Sequence, residues 1–171
     1  MKSHEFASLL CSRLCHDLLS PVGALNNGIE LLADEVDRRE ARAAIEGLFG
    51  GDGRIQLGWM VDEPVISKAA LKVLLNIALI AGDALVRGGT LDVGAEKHEH
   101  GLDIVVRAQG PRIVLDPELR KVLAGETSED EVAPRAAAAW LVHCLVQEGG
   151  GQIQFADDEE GLLIIGASLP A

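Results

Sequence analysis

Tyrosine is absent from this 171-residue chain, and aromatic residues together make up only 3% of it. A core with so few rings must be built from Leu, Ile, Val and Ala, and the apolar content of 48% is ample for one. Positive charge is scarce as well: 15 Lys and Arg stand against 27 Asp and Glu, a formal net charge of -12. That balance argues against nucleic-acid backbones and anionic membranes as partners. It equally removes long-range attraction to acidic proteins, so an acidic partner must be held by a local apolar patch. No apolar run is long enough to span a membrane. The best candidate, Ala69 to Val86, is interrupted by Lys72, Asn76, Gly82 and Asp83, and reads as a buried helix. The N-terminus carries no signal-peptide pattern. The three cysteines (Cys11, Cys15 and Cys144) are an odd set without secretory context, so reduced thiols in a cytoplasmic protein are expected. Cys11 and Cys15 lie one helical turn apart beside His16, but two thiols and one imidazole leave a tetrahedral metal site incomplete; they read as small packing residues.

The length fits one ordinary domain, or one small domain with a helical appendage. Ser3 to Asp34 reads as one long amphipathic helix, because Leu10, Leu14, Leu18, Leu25, Ile29 and Leu32 recur at spacings of three, four and seven. Such a helix is on the order of 45 Å long and buries its stripe in a bundle, often with a second protomer. Pro21 removes a backbone donor within it and favours a kink just past His16. Arg38 to Phe49 makes a short helix, and Gly50-Gly51-Asp52-Gly53 breaks the pattern. The expected division is a helical region over 1–50 and an α/β domain over 51–171. In the second part the signals predict a strand at Arg54 to Met60 and a helix from Ser67 to Val86 capped by Ser67. A hairpin of Thr90 to Glu96 and Leu102 to Arg107 turns around His98-Glu99-His100-Gly101. Helices at Pro117 to Ala124 and Pro134 to Glu148, then strands at Gln152 to Ala156 and Leu162 to Leu169, complete an α+β protein whose body is a two-layer α/β sandwich.

The chemistry-bearing stretch is Leu14-Cys15-His16-Asp17-Leu18-Leu19-Ser20-Pro21. An imidazole with an ordinary pKa of about 6.5 is largely neutral near pH 7, and its free ring nitrogen is a nucleophile toward phosphorus. A carboxylate at the next position can orient the ring or take the proton from its other nitrogen. On a helix, Ser12, Arg13 and Ser20 share the face of His16, so the imidazole should project from the bundle. A His-Asp pair alone fits a surface histidine on a packing helix better. The longer run from Cys15 to Leu32, with Pro21-Val22-Gly23-Ala24-Leu25-Asn26-Asn27-Gly28-Ile29-Glu30 inside it, resembles the phosphoacceptor helix of ChpT-type histidine phosphotransferases. More loosely it resembles the His-acid-Leu-x-x-Pro box of sensor histidine kinases. The resemblance implies that His16 is the phosphorylated residue, Asp17 its acidic partner and Pro21 the helix bend.

The remainder resembles the kinases' ATP-binding domain with its nucleotide residues replaced. Lys72 to Ala81, followed by Gly88-Gly89-Thr90-Leu91, looks like the ATP-binding helix and following strand. The family holds magnesium with a second Asn four positions after the first; here Asn76 is followed by Ile80, which cannot coordinate a hard cation. In Ala108-Gln109-Gly110-Pro111-Arg112-Ile113 the Asp for the adenine amino group has become Ala108, and the glycine after the proline has become Arg112. The glycine-rich turn that wraps phosphates corresponds to Ala136-Ala137-Ala138-Ala139-Trp140, expected to be plain helix.

Together these imply a phosphotransferase in a bacterial multistep phosphorelay that binds no ATP and needs no cofactor of its own. His16 would take a phosphoryl group from the receiver domain of a hybrid histidine kinase and pass it to the receiver of a response regulator. The receivers carry the phosphorylated Asp and the magnesium. Leu9, Leu10, Arg13, Leu14, Leu19 and Ser20 around His16 are the docking candidates, with a core role for the leucines equally open. The family pairs two helical hairpins into a four-helix homodimer bundle, yet only Glu35 to Phe49 separates the first helix from the strand near Arg54, so either the hairpin is truncated or residues of its second helix are absent from the sequence as given. The rival readings are a non-catalytic receiver-binding scaffold and an ATP-dependent histidine kinase. His98 and His100, with Glu96 and Glu99, could chelate a metal weakly, although a solvated turn is the stronger reading. His4 and His143 lack a comparable setting, and Trp59 and Trp140 read as core.

Overall fold

A computed structural model describes residues 28–29, 32–49, 53–158 and 160–170. The long-helix expectation over Ser3 to Asp34 falls mostly outside them. Within them, Gly28 and Ile29 are helical, and Ile29 is buried. The chain then enters a short strand, β1 (Glu35–Asp37), and helix α1 (Arg38–Phe49), which buries Ala41 and Ile45. Strands β2 (Ile55–Val61) and β3 (Val65–Ser67) follow, then helix α2 (Lys68–Ala84). Next come the hairpin β4 (Gly89–His98) and β5 (Gly101–Gln109), helices α3 (Pro117–Leu123) and α4 (Ala137–Glu148), and strands β6 (Gln152–Asp158) and β7 (Leu162–Pro170).

The main sheet has the order β2-β4-β5-β7-β6. Its last four strands pair antiparallel, whereas β2 runs parallel to β4. A parallel pair needs a crossover, and β3 with α2 provides it. Strand alternation builds the two faces. On β5, Ile104, Val106 and Ala108 are buried, while Asp103, Val105, Arg107 and Gln109 point away from the core. The helices cover the first face, and the second is open, with Met60 and Val105 well exposed.

Helix α2 is the centre of the body. Buried positions occur around most of its circumference, from Leu71, Val73, Leu74 and Leu75 to Ile77, Ala78 and Ala81, because it lies between the sheet and the flanking helices. Ser67 caps it as its sequence position implies: the Ser67 Oγ accepts the Ala70 N–H at 3.1 Å. At the other end Gly82 allows α1 to close in, since a Cβ there would strike the Phe49 ring. Thus α1, which the Gly50-Gly51 break separates from the body in sequence, packs with it in space.

Two local features depart from the sequence expectations. Glu35–Asp37, for which no strand was expected, forms β1, paired antiparallel with β3 in a two-stranded ribbon through Val36 opposite Ile66. The segment Pro134 to Ala136 is a 3-10 turn preceding α4, with the Ala136 N–H donating to Ala133 O at 2.9 Å. Ala136 has no polar side chain to cap the helix, and the tighter turn satisfies its backbone instead.

Candidate functional site

His16 and Asp17, and with them Leu9, Leu10, Arg13, Leu14, Leu19 and Ser20, lie outside the described residues, as do His4, Cys11 and Cys15. The structure does describe where their segment joins the body. The Lys68 backbone N–H donates to Asp34 O at 2.8 Å, and the Lys68 ammonium reaches Leu32 O at 3.4 Å. The attachment is therefore at the N-terminal end of α2. A cleft of about 470 Å³ opens at the same end, lined by residues including Val65, Ser67, His98, Leu102 and Pro170.

The positions matching the kinase nucleotide boxes lie on α2, at the outgoing end of β5 and at the start of α4. Asn76 is fully buried on α2, and its Nδ2 donates to Lys72 O at 2.7 Å. The amide is thus turned onto its own helix backbone one turn back. Ile80, one turn further on, is 3% exposed and part of the core. Ala108 is fully buried on β5, in register between Leu91 of β4 and Leu163 of β7. Past it, the Gly110 N–H donates to Gly161 O at 3.0 Å, and Arg112 is exposed. The alanine run Ala136 to Ala139 is buried throughout. Alkyl side chains therefore occupy the positions where the resemblance places a magnesium ligand, an adenine acceptor and a phosphate turn. The residues present offer no ligand set for a nucleotide–magnesium complex at those positions.

The remaining candidates are structural. Trp140 is buried and stacks against His143 at 5.5 Å between ring centroids; burial holds the His143 pKa below the usual imidazole value. Trp59 is partly buried against the core. The hairpin-tip His98 accepts the His100 backbone N–H on Nδ1 at 3.1 Å, and its Nε2 lies 3.3 Å from Asp103 Oδ1. Both ring nitrogens are engaged. Among the described residues no group of three or more His, Cys, Asp or Glu is arranged to hold a metal. Cys144 is buried in α4, and its thiol is pushed up to about 11, by burial first and by the nearby Glu129 carboxylate second. Only the thiolate reacts with alkylating agents. Iodoacetamide at pH 8 is therefore expected to modify Cys144 at least about a hundredfold more slowly in the native protein than in urea, read by mass spectrometry of the Cys144 peptide. Equal rates would sink this account of its burial.

The fold defines a class first: an α+β body of the histidine-kinase catalytic type. The catalytic domain of histidine kinase ThkA superposes on 80% of this chain and 94% of its own with a TM-score of 0.58 at 18% identity. A solved bacterial phosphotransferase covers 98% of this chain and 97% of its own with a TM-score of 0.74 at 23% identity. The chain belongs to the ChpT-type histidine phosphotransferases of phosphorelays: residues 38–161 match the family described as histidine phosphotransferase C-terminal domain. It is 27% identical to the protein phosphotransferase ChpT of Brucella abortus (strain 2308), over 93% of each chain. That alignment runs to 195 residues against the 171 of this chain, so the Brucella protein has residues for which this chain has no counterpart. No helix among the described residues is long and apolar enough to cross a membrane.

Proposed function

We propose that this phosphotransferase works as a way-station: His16 accepts a phosphoryl group from the receiver domain of a hybrid histidine kinase and delivers it to the receiver of a response regulator. The observation that carries this reading is the contrast between the fold and its filled site. A body of kinase type holds Ile80, Ala108, Ala136 and Ala138 buried where nucleotide contacts would stand, which supports a phosphate that comes from another protein.

In the first step the neutral His16 ring nitrogen attacks the phosphorus of a phosphoaspartate. The new N–P bond forms as the acyl-phosphate P–O bond breaks, and the aspartate departs as its carboxylate. The proton on the other ring nitrogen is held by Asp17, which orients the ring. The second transfer is the reverse chemistry onto another aspartate. Magnesium belongs to the receivers, and the chain supplies no metal or nucleotide of its own. The apolar stripe supports an outward imidazole. With Ile29 buried, a helix continuing in register would carry His16 roughly 140° round from it, at 3.6 residues per turn.

The region 1–50 is the phosphoacceptor and dimerisation part and 51–171 the kinase-like part, with α1 covalently in the first and packed on the second. Between Asp34 and β2 stand only β1 and α1, which supports either a truncated helical hairpin or a second long helix whose residues are not in this sequence; a homodimer would form through the first helix. Arg13, Leu19 and Ser20 flank His16 on the face offered to a receiver, and Leu10 and Leu14, which belong to the apolar stripe, border it. The deciding experiment incubates the protein with a phosphorylated receiver domain and maps acid-labile phosphate by mass spectrometry. Label on His16 is the expected result. Binding without label would favour a scaffold, and measurable binding of ATP at millimolar concentration would restore the kinase reading.

A further inference from the structure

The stretch that carries the phosphoacceptor segment into the body, Leu32-Ala33-Asp34-Glu35-Val36-Asp37, contains no glycine or proline, the residues that loosen or break a linker. It is tied down along its length instead. Ile29 and Val36 are buried in the same core cluster as Ile66 and Leu71, and Leu32 packs against that cluster. The Leu32 N–H donates to Ile29 O at 3.0 Å, a three-residue closure of the kind found at helix ends. Past it, β1 pairs with β3, and the Arg38 N–H donates to Pro64 O at 3.0 Å while its guanidinium reaches Asp62 O at 3.1 Å. Lys68 holds two carbonyls of the stretch: its backbone N–H donates to Asp34 O at 2.8 Å, and its ammonium lies 3.4 Å from Leu32 O. That cation is misplaced for its own helix. It stands at the first residue of α2, where the helix dipole favours an anion, and the first turn holds no acidic residue. For a helix ending near Leu32 the same charge is well placed, since a lysine there meets a last-turn carbonyl and the negative end of the dipole.

We infer that Lys68 is a positioning residue for phosphotransfer: it holds the end of the phosphoacceptor segment on the body and so sets the direction in which His16 is presented. The inference rests on the reading of His16 as the phosphoryl carrier. As helix, the stretch from His16 to Leu32 spans about 24 Å. A compact receiver of about 100 residues is roughly 30–35 Å across. The angle at the joint therefore decides how much room a receiver has beside the body. Lys68 acts through this joint and not on the phosphate. Without its ammonium the segment spreads over more directions, and the half-saturating receiver concentration rises in inverse proportion to the fraction still competent. The chemistry within a docked pair is unchanged.

Uptake from a phosphorylated receiver, measured on the full-length protein over a range of receiver concentrations, tests this beside labelling by phosphoramidate. That small donor phosphorylates imidazole directly, the new N–P bond forming as ammonia leaves, and it needs no docking surface. Lys68→Met keeps most of the side chain's length and removes the cation. It is expected to raise the half-saturating receiver concentration about fivefold, with the saturating rate and the phosphoramidate rate at His16 unchanged. Lys68→Arg restores a cation and should bring the concentration back toward wild type. Arg42→Met, which removes an exposed cation paired with Glu46 at 2.8 Å, controls for net charge and should match wild type. A Lys68→Met protein indistinguishable from wild type, a fall confined to the saturating rate, an equal slowing with phosphoramidate, or a shift reproduced by Arg42→Met would each overturn the positioning role. Wild-type protein that takes no label at His16 from the receiver would instead remove the phosphotransfer reading, and the positioning role with it.

Discussion

His16→Gln is expected to abolish phosphoryl uptake from a phosphorylated receiver while leaving the fold intact. Glutamine approximates the size of imidazole but has no nucleophilic nitrogen, since its amide lone pair is delocalised into the carbonyl. Losing the attacking atom of a covalent pathway typically costs on the order of a thousandfold or more in rate, so the variant should sit at the spontaneous hydrolysis rate of the acyl phosphate. Asp17→Asn should be milder, about a hundredfold, because it changes the orientation and basicity of the ring and leaves the nucleophile in place. The two readouts are the receiver's loss of phosphate over time and the thermal unfolding of the variant. Stability should be unchanged, since the core runs through Ile45, Leu71, Leu74, Ile77, Leu91 and Ile165 of the body, remote in sequence from residue 16. A His16→Gln protein that still drains the receiver at the wild-type rate would take His16 out of the mechanism.

The legible part of the fold was the part with a strong period. Helix α2 could be placed by its cap at Ser67, where the Oγ bonds the Ala70 N–H, and the hairpin β4–β5 by alternation flanking a polar tip. The ribbon of β1 and β3 was not legible. Each strand has three residues, too few for a period of two to stand out, and Glu35 and Asp37 read as a charged run. Nor could the parallel pairing of β2 with β4 be read, because strand order is set by how the crossover packs on the sheet and not by local pattern. The filled nucleotide boxes were visible as substitutions at Ile80, Ala108, Arg112 and the Ala136 run. What a sequence does not carry is how such positions are used instead. The Asn76 amide bonding Lys72 O, and the ties of Asp116 to Arg135 and Arg120 to Asp157, join residues whose pairing leaves no periodic mark.

The glycines beside the positions that match the kinase boxes show such use most directly, and they make the second large prediction. Gly88 and Gly161 have φ of +78 and +87, a region that costs other residues roughly 1–2 kcal/mol. They also form a backbone crossing. A Cβ on Gly161 would run into the carbonyl oxygen of Gly110, one on Gly110 into that of Gly88, and one on Gly88 into that of Arg54. The atoms in the way are backbone, so no rotamer change relieves them. Gly161→Ala is therefore expected to cost on the order of 3–5 kcal/mol, combining the φ penalty with displacement of two strand ends, a large share of the roughly 5–15 kcal/mol typical of a whole domain. Gly150→Ala is the comparison: its φ is +76, but a Cβ there meets nothing within 4 Å, so about 1 kcal/mol is expected. Urea unfolding of the two variants measures the difference, and similar midpoints would disprove the crossing as the source of the cost. The same crossing bears on function. The Gly110 N–H, at the position that matches a kinase nucleotide box, already donates to Gly161 O at 3.0 Å. Freeing that donor for a phosphate would require breaking the junction between β5 and β7, so restoring Asp at Ala108 and Gly at Arg112 is not expected to recover ATP binding.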